Sequence, residues 1–165
     1  MSDDTFMRIS KIKGGSTDHE HKDWINAWDL RMGFSQPRSP VASTAGGMTT
    51  SKTVHRPLII SKGLDLASAQ LMQNCCSGET MEEIIIERFR ANGEKRVKYM
   101  EVRIYNAIVN NIDPYSIDNY MAEQIAFVYS KIGWRQTIMS DEGRELGNTS
   151  GGWDLGTNRP FTFAR

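Results

Sequence analysis

The sequence predicts a mainly β protein, an antiparallel β-barrel or collapsed sandwich that carries one α-helix and a long extended loop. Three observations predict it. Short segments alternate apolar and polar residues with a period of two, Asn92-Gly93 separates two of them as a hairpin turn would, and only one stretch repeats apolar residues at helical spacing. A chain of 165 residues fits one domain, residues 1–165, and at this size roughly two thirds of the unfolded surface is buried on folding.

The opening strand, residues 6–12, puts Phe6, Arg8 and Ser10 on one face and Met7, Ile9 and Lys11 on the other, and ends at Gly14-Gly15. Residues 24–32 alternate more cleanly. Trp24, Asn26, Trp28, Leu30 and Met32 share the expected core face, and Ile25, Ala27, Asp29 and Arg31 share the other. Residues 35–53, with Pro37, Pro40, Gly46, Gly47 and many Ser and Thr, bury little and make a long loop, a type that is usually functional or disordered. Residues 54–61 read as a strand in which Pro57 marks an edge or a bulge.

Asp65 is placed to cap the helix, Leu71, Met72, Cys75 and Cys76 form its apolar stripe, and Gly78 is placed to end it in the left-handed conformation. Adjacent Cα atoms lie about 3.8 Å apart, below the disulfide range of roughly 4.4–6.8 Å, so Cys75 and Cys76 are expected as buried helix-face thiols. A redox or soft-metal role is the other reading of that pair. Residues 82–90 and 95–104 form a hairpin around Asn92-Gly93, and residues 107–112 make the next strand, closed by Asp113-Pro114. Residues 123–134 make the longest strand. It is apolar on both faces, Ile125, Phe127 and Tyr129 against Ala126, Val128, Ile132 and Trp134, so one face fills the interior and the other meets a neighbouring chain. A polar loop over residues 140–151 leads to Gly152-Trp153-Asp154-Leu155, for a sum of about eight or nine strands.

Charge narrows the function. With 20 basic and 20 acidic side chains the net charge is zero, which removes the field that a nucleic-acid partner requires and leaves little repulsion between copies of the chain. Met1-Ser2-Asp3-Asp4-Thr5 has neither a basic nor an apolar leader region, and no apolar run reaches the length of a membrane span. The product is therefore expected to start in the cytosol, without a signal peptide and without membrane insertion.

A search for catalytic chemistry finds weak candidates. His19-Glu20-His21, with Asp18 and Asp23 nearby, offers metal-ligand types, but the spacing sits in a polar turn and His55 is distant, so a hydrogen-bonded turn with solvated side chains is the preferred reading. Glu79, Glu82, Glu83 and Glu87 offer a glycosidase-like carboxylate pair, yet alternating acids on a strand are usually a solvated face or rim ion pairs. Arg88, Arg90, Lys95, Arg96 and Lys98 flank the Asn92-Gly93 turn but are interleaved with Glu83, Glu87, Glu94 and Glu101, as at a surface or a contact between subunits. No catalytic residue, cofactor-binding residue, metal ligand or cofactor is expected.

The order strand, Gly14-Gly15-Ser16-Thr17 turn, His19 and His21, second strand, then Gly33-x-x-Gln36 resembles the start of the haemolysin-coregulated proteins (Hcp), which build the inner tube of the type VI secretion machine. The resemblance runs from Phe6 to about Asn158. It includes Ile60-Ser61-Lys62, Asp65-x-Ala67-Ser68-Ala69-Gln70-Leu71, Cys76-Ser77-Gly78, the strand pair Tyr99–Ile104 and Ala107–Ile112, and Gly152-Trp153-Asp154-Leu155-x-x-Asn158. Gly14-Gly15-Ser16 stands where the family has Gly-Glu-Ser, Leu30-Arg31-Met32-Gly33 where it has Trp-x-Trp-Gly, and Gly46-Gly47 where its loop is glycine-rich, so the chain resembles a divergent member.

The resemblance implies a structural subunit and no enzyme. Members form six-membered rings that stack head to tail into a tube, so the implied partners are other copies of the chain, a VgrG-like spike protein, contractile sheath proteins and small secreted effectors. The implied location is cytoplasmic during assembly, then extracellular or inside a target cell. Two sites follow. Arg31 falls where the family's strand faces the ring lumen, which implies contact with small cargo, against an ordinary exposed arginine. Ser43, Thr44, Gly46, Gly47, Met48 and Thr49, within residues 39–53, are the ring-stacking candidates. A monomeric barrel that binds a small ligand in an empty apolar interior is the competing reading; the large core candidates Trp24, Trp28, Phe89, Phe127 and Trp134 argue for a filled one. A metal-dependent hydrolase comes third.

Overall fold

The computed structural model describes residues 3–38 and 52–164. Among them ten strands and one helix follow one another, all strand pairs being antiparallel. The first sheet runs β10 (Arg159–Pro160), β9 (Glu145–Asp154), β8 (Lys131–Met139), β6 (Lys95–Ile117), β5 (Met81–Asn92), β1 (Asp4–Ile9), β2 (Ile25–Ala27). The second runs β3 (Asp29–Ser35), β4 (Val54–Gly63), β7 (Tyr120–Val128) and again β6.

β6 thus belongs to both sheets. Residues Met100–Tyr105 pair with β8 and the first half also pairs with β5, whereas Ile108 to Ile117 pair only with β7 among the described residues. Between the halves stands Asn106 with φ of 50°, a left-handed conformation that asparagine tolerates better than most residues and that redirects the strand. The expected separate strand over 107–112 is therefore a continuation, and Asp113-Pro114 does not end it. Pro114 is tolerated because this half of β6 pairs only with β7 among the described residues and so forms a border of its sheet, where a missing N–H costs least.

The expected strand over 24–32 splits in two. Ile25 and Ala27 are buried in β2, then Leu30 and Met32 pack on the core from β3, so the inward phase changes by one residue at Trp28. Trp28 itself is 47% exposed and its N–H donates to Ser61 O at 3.0 Å, stitching the crossing between sheets to β4. Residues 123–134 likewise split, into β7 and β8 about Tyr129-Ser130, and the expected polar loop over 140–151 is largely β9, hydrogen-bonded to β8 from Lys131↔Asp154 to Met139↔Glu145. Pro57 sits where β4 slips by one residue against β3, the bulge its missing N–H requires. The hairpin turns at Gly93-Glu94, one residue beyond the expected centre, with Asn92 paired to Lys95 and Gly93 at φ of 60°.

The interior is filled. Met7, Ile9, Ile25, Leu58, Ile60, Ile84, Ile86, Val102, Ile104, Ile125, Phe127 and Ile132 form one cluster, each such side chain contributing about 1.5–3 kcal/mol on burial. Of the large candidates, Phe127 and Phe89 are buried, Trp24 and Trp134 are half-buried, and Trp28 is the exception.

Helix α1 (Ser68–Ser77) closes one side, burying Ser68, Leu71 and Asn74. Its cap is Ala67 rather than Asp65, because Asp65 acts one turn earlier, accepting from the Ala67 N–H at 2.9 Å. Gly78 ends it at φ of 70°, its N–H donating to Asn74 O at 2.9 Å. Cys75 is half-buried against the core and Cys76 is exposed, so only one of the two thiols lies on the buried side.

What fixes the helix to the barrel is a buried ammonium. Lys62, fully buried on β4, is surrounded by Glu123 Oε1 on β7, Ser68 Oγ at 3.1 Å, Gly63 O at 2.9 Å and Asp65 Oδ1 at 2.9 Å, and Ser68 Oγ also donates to Glu123 Oε1 at 2.9 Å. Removing one partner of such a group leaves a charge without solvent or counter-charge. Lys62→Ala should lower unfolding free energy by about 3–5 kcal/mol in a denaturant titration. Lys62→Met combined with Glu123→Gln should recover most of that loss; a double variant no more stable than Lys62→Ala would refute the assignment.

Candidate functional site

Arg31 projects from β3 on the side opposite Leu30 and Met32. Its side chain is 66% exposed and Nε donates to Asp29 Oδ2 at 3.1 Å. Across the sheet, Arg31 pairs with Ile59, Ile59 with Ala126, and Ala126 with Asn111, one row of a face whose next members include Gln124, Val128 and Asp113. This face is turned away from the apolar cluster, and it mixes the apolar Ile59, Ala126 and Val128 with Arg31, Asn111, Asp113 and Gln124. Both borders of the four-stranded sheet are open among the described residues: β3 pairs only with β4, and β6 beyond Ile108 only with β7. Tyr115 and Ile117, on that second border, and Tyr120 and Met121 beside it are exposed.

Ser43, Thr44, Gly46, Gly47, Met48 and Thr49 lie outside the described residues. At the root of their segment, Thr53 Oγ1 donates to Ser35 O at 3.2 Å.

The turn between β1 and β2 holds a second polar assembly that differs from its expected solvated form. His19 is exposed but His21 is buried, stacked on Phe6 with ring centroids 4.3 Å apart and edge-on to Trp24 and Phe89. Its Nδ1 lies 2.9 Å from Asp18 Oδ1 and its Nε2 lies 2.8 Å from Glu87 Oε2. A neutral imidazole has one N–H and can donate to only one of these carboxylates, so both bonds are made when the ring is the cation. Gly14 admits this turn because a Cβ there would strike the Trp24 carbonyl, and its own N–H donates to Asp23 O at 2.8 Å.

From His21 the charges continue across the outer face of the first sheet. Arg96 grips Asp18 with two N–H groups at 2.7 and 3.0 Å and lies over the rings of Phe6 and Phe89. Glu87 receives Lys98 at 3.0 Å, Lys98 also reaches Glu101 at 3.1 Å, and Glu101 takes Arg103 at 2.7 Å with Arg135 at 3.8 Å. The hydrogen bond from Arg96 holds the Asp18 carboxyl well below the usual carboxylate range. Burial pushes Glu101 up, but bonds from Arg103 and Lys98 outweigh it and its net shift is downward. Of the basic cluster around the hairpin, Arg96 and Lys98 are bound into these ion pairs, Arg88 and Arg90 stack on Tyr99, and Lys95 is exposed. Sequence reasoning missed His21, Glu87 and Lys62 as partners; the available signal was a charged residue inside an otherwise apolar strand, as at Lys62 and Glu123.

Of the carboxylates considered as a catalytic pair, Glu87 is bound into this chain of charges and Glu82 faces outward. Among the described residues no group of three His, Cys, Asp or Glu side chains is placed to hold a metal ion, and no helix is long and apolar enough to cross a membrane.

Comparison with known proteins decides the family. Residues 6–136 match the family described as type VI secretion system effector, Hcp. The chain belongs to the Hcp family. This Hcp-family chain is 27% identical over 142 residues to the Major exported protein of Pseudomonas aeruginosa, covering 80% of each. It is 24% identical over 161 residues to Protein hcp1 of the same organism, covering 96% of this chain and 98% of the relative. A solved type six secretion system protein superposes with a TM-score of 0.86 at 24% identity over 96% of this chain and 99% of the other. Hcp1 from Salmonella typhimurium does so with 0.78 at 22% identity over 98% and 100%. Membership makes this a protein of the type VI secretion system, and the structural likeness agrees with the mainly β antiparallel fold.

The downward shifts of Asp18 and Glu101 fix a sign for pH dependence. A carboxyl whose folded value lies below its unfolded value stabilises fully above the unfolded value, and the contribution is lost as pH falls through the folded one. Stability should therefore fall on acidification below about pH 4. Asp18→Asn should lower stability near neutrality by about 1–3 kcal/mol and flatten the acid limb of a stability-against-pH curve; an unchanged limb would exclude Asp18 as a source.

Proposed function

We propose that this chain is the repeating subunit of a type VI secretion tube, that six copies close into a ring, and that rings stack head to tail. One observation carries the reading: among the described residues a four-stranded sheet, β3-β4-β7-β6, has both borders open and a face of mixed polarity turned from the core. Two unlike open borders on one sheet form a heterologous contact, and a heterologous contact that closes by rotation gives a ring. Residues 1–165 act as one unit in it. The packed interior disfavours the competing ligand-binding barrel, which needs the space that Ile60, Ile104 and Phe127 occupy.

In this reading Arg31 and its row face the ring interior, where small secreted effectors travel, and Ser43, Thr44, Gly46, Gly47, Met48 and Thr49 join one ring to the next. A VgrG-like spike protein caps the stack, contractile sheath proteins surround it, and the subunit leaves the cytoplasm with its cargo. The names of the relatives, an exported protein among them, support export.

Light scattering after size exclusion, with negative-stain images of the same peak, should show rings of six chains. A clean monomer at high concentration would overturn the ring and restore the ligand-binding barrel. Deleting residues 43–50 should keep rings and abolish tubes; tubes that persist would remove the stacking role.

Arg31→Ser should leave ring formation intact and reduce the stability and export of small cargo by about tenfold, the size expected for one lost charged hydrogen bond. Cargo levels equal to wild type would leave Arg31 an ordinary exposed arginine.

A further inference from the structure

The face that carries Arg31 carries a second arginine, aimed there by the backbone. Arg56 lies on β4 opposite Gly33 of β3. Leu58 and Ile60 are buried, so strict alternation would turn Arg56 inward as well. The one-residue slip at Pro57 reverses that phase. Arg56 is exposed and shares the face of Arg31, because Arg31 and Gly33 are alternate residues of β3. Its guanidinium is laid over Gly33, where a Cβ would strike Arg56 Nη2.

Arg31 is the diagonal neighbour across the strand pair, at a spacing of about 7–8 Å that long side chains span. Asp29 Oδ2 holds its Nε at 3.1 Å, which leaves the two Nη groups for another acceptor. Among the described residues Arg56 has no ion pair and no hydrogen bond from its side chain. Residues 39–51, which join β3 to β4, contain no Asp or Glu and offer it no carboxylate. Asp113 stands two strands from β4 and accepts from Asn111 Nδ2 at 2.6 Å. An ordinary surface arginine needs neither a bulge to turn it outward nor a glycine to lie on, and bulges recur where a side chain is re-aimed for binding.

We propose that Arg56 and Arg31 together bind the carboxylates of an extended acidic segment on the cargo. Alternate residues of an extended chain stand about 6.5 Å apart, so acidic side chains at positions i and i+2 match the two guanidinium groups. This assignment rests on the cargo-facing wall proposed above, yet the site lies within one chain, so binding is measured separately from ring assembly.

The probe is a dye-labelled, end-blocked peptide of alternating glutamate and glycine, followed by fluorescence anisotropy as the full chain is titrated at one ionic strength. It should bind saturably, and its glutamine counterpart about tenfold more weakly. Arg56→Gln should weaken the glutamate peptide about tenfold. Gly33→Ala keeps every charge and displaces only the guanidinium, so it should weaken the peptide severalfold. Arg8→Gln removes an exposed arginine from the first sheet and should change nothing. Equal losses from Arg56→Gln and Arg8→Gln would overturn the proposal, since the attraction would then be a general field. So would a Gly33→Ala chain that binds as wild type, or inorganic phosphate that binds more tightly than the peptide. Light scattering of the same samples reads the ring on its own: a monomer that still binds through Arg56 refutes the tube and keeps the site, and a ring that does not bind refutes the site alone.

Discussion

The rest of the structure depends on how β6 satisfies its backbone. A strand of 23 residues carries a donor and an acceptor at nearly every position, and those that are buried must be paired. One flat sheet could not supply partners on both sides over such a length without leaving β5, β7 and β8 to compete for the same edge. Turning at Asn106 resolves the competition, because the first half takes β5 and β8 while the second takes β7. The two layers are therefore set by one covalent strand, and the apolar row Val102, Ile104, Val109 and Ile112 follows that strand from one layer into the other.

Polar groups then supply what packing alone does not. The Lys62 ammonium draws β4, β7 and the start of α1 to one point inside the barrel. On the outside, Arg96 meets Asp18, Glu87 meets Lys98, Lys98 meets Glu101 and Glu101 meets Arg103 across the first sheet, with the His21 ring hydrogen-bonded between Asp18 and Glu87. With 20 basic and 20 acidic side chains and a net charge of zero, many of the charges meet one another before they meet a partner.

Much of the fold was legible because local chemistry and tertiary structure agree. Gly78 ends its helix as a left-handed residue, Pro57 marks a real bulge, and the Asn92-Gly93 signal finds its hairpin within one residue. Failures occur where two sheets share a segment. The period of two across residues 24–32 is genuine, yet its phase changes when the chain passes from β2 to β3, and no local pattern announces which tryptophan lies at the crossing. β9 was hidden for another reason. Glu145, Leu146, Gly147, Asn148, Thr149 and Ser150 are all exposed, so the strand is held by backbone pairing to β8 and carries no hydrophobic alternation to read. His21 was misread because histidine in a polar turn is ordinarily solvated, and the buried pairing of Lys62 had no local signal; their partners, Glu87 and Glu123, stand more than sixty residues away.

A strand common to two layers also has a mechanical meaning. Force applied along the wall of the second sheet passes into the first through peptide bonds at Asn106, not across an interface of side chains that can slide. Pulling lengthwise on β6 loads its cross-strand hydrogen bonds together, in shear, whereas a sandwich of independent sheets would be free to slip layer over layer. A chain built this way behaves as a stiff element under load along β6, and the cost of deforming it is spread over the neighbours of one strand.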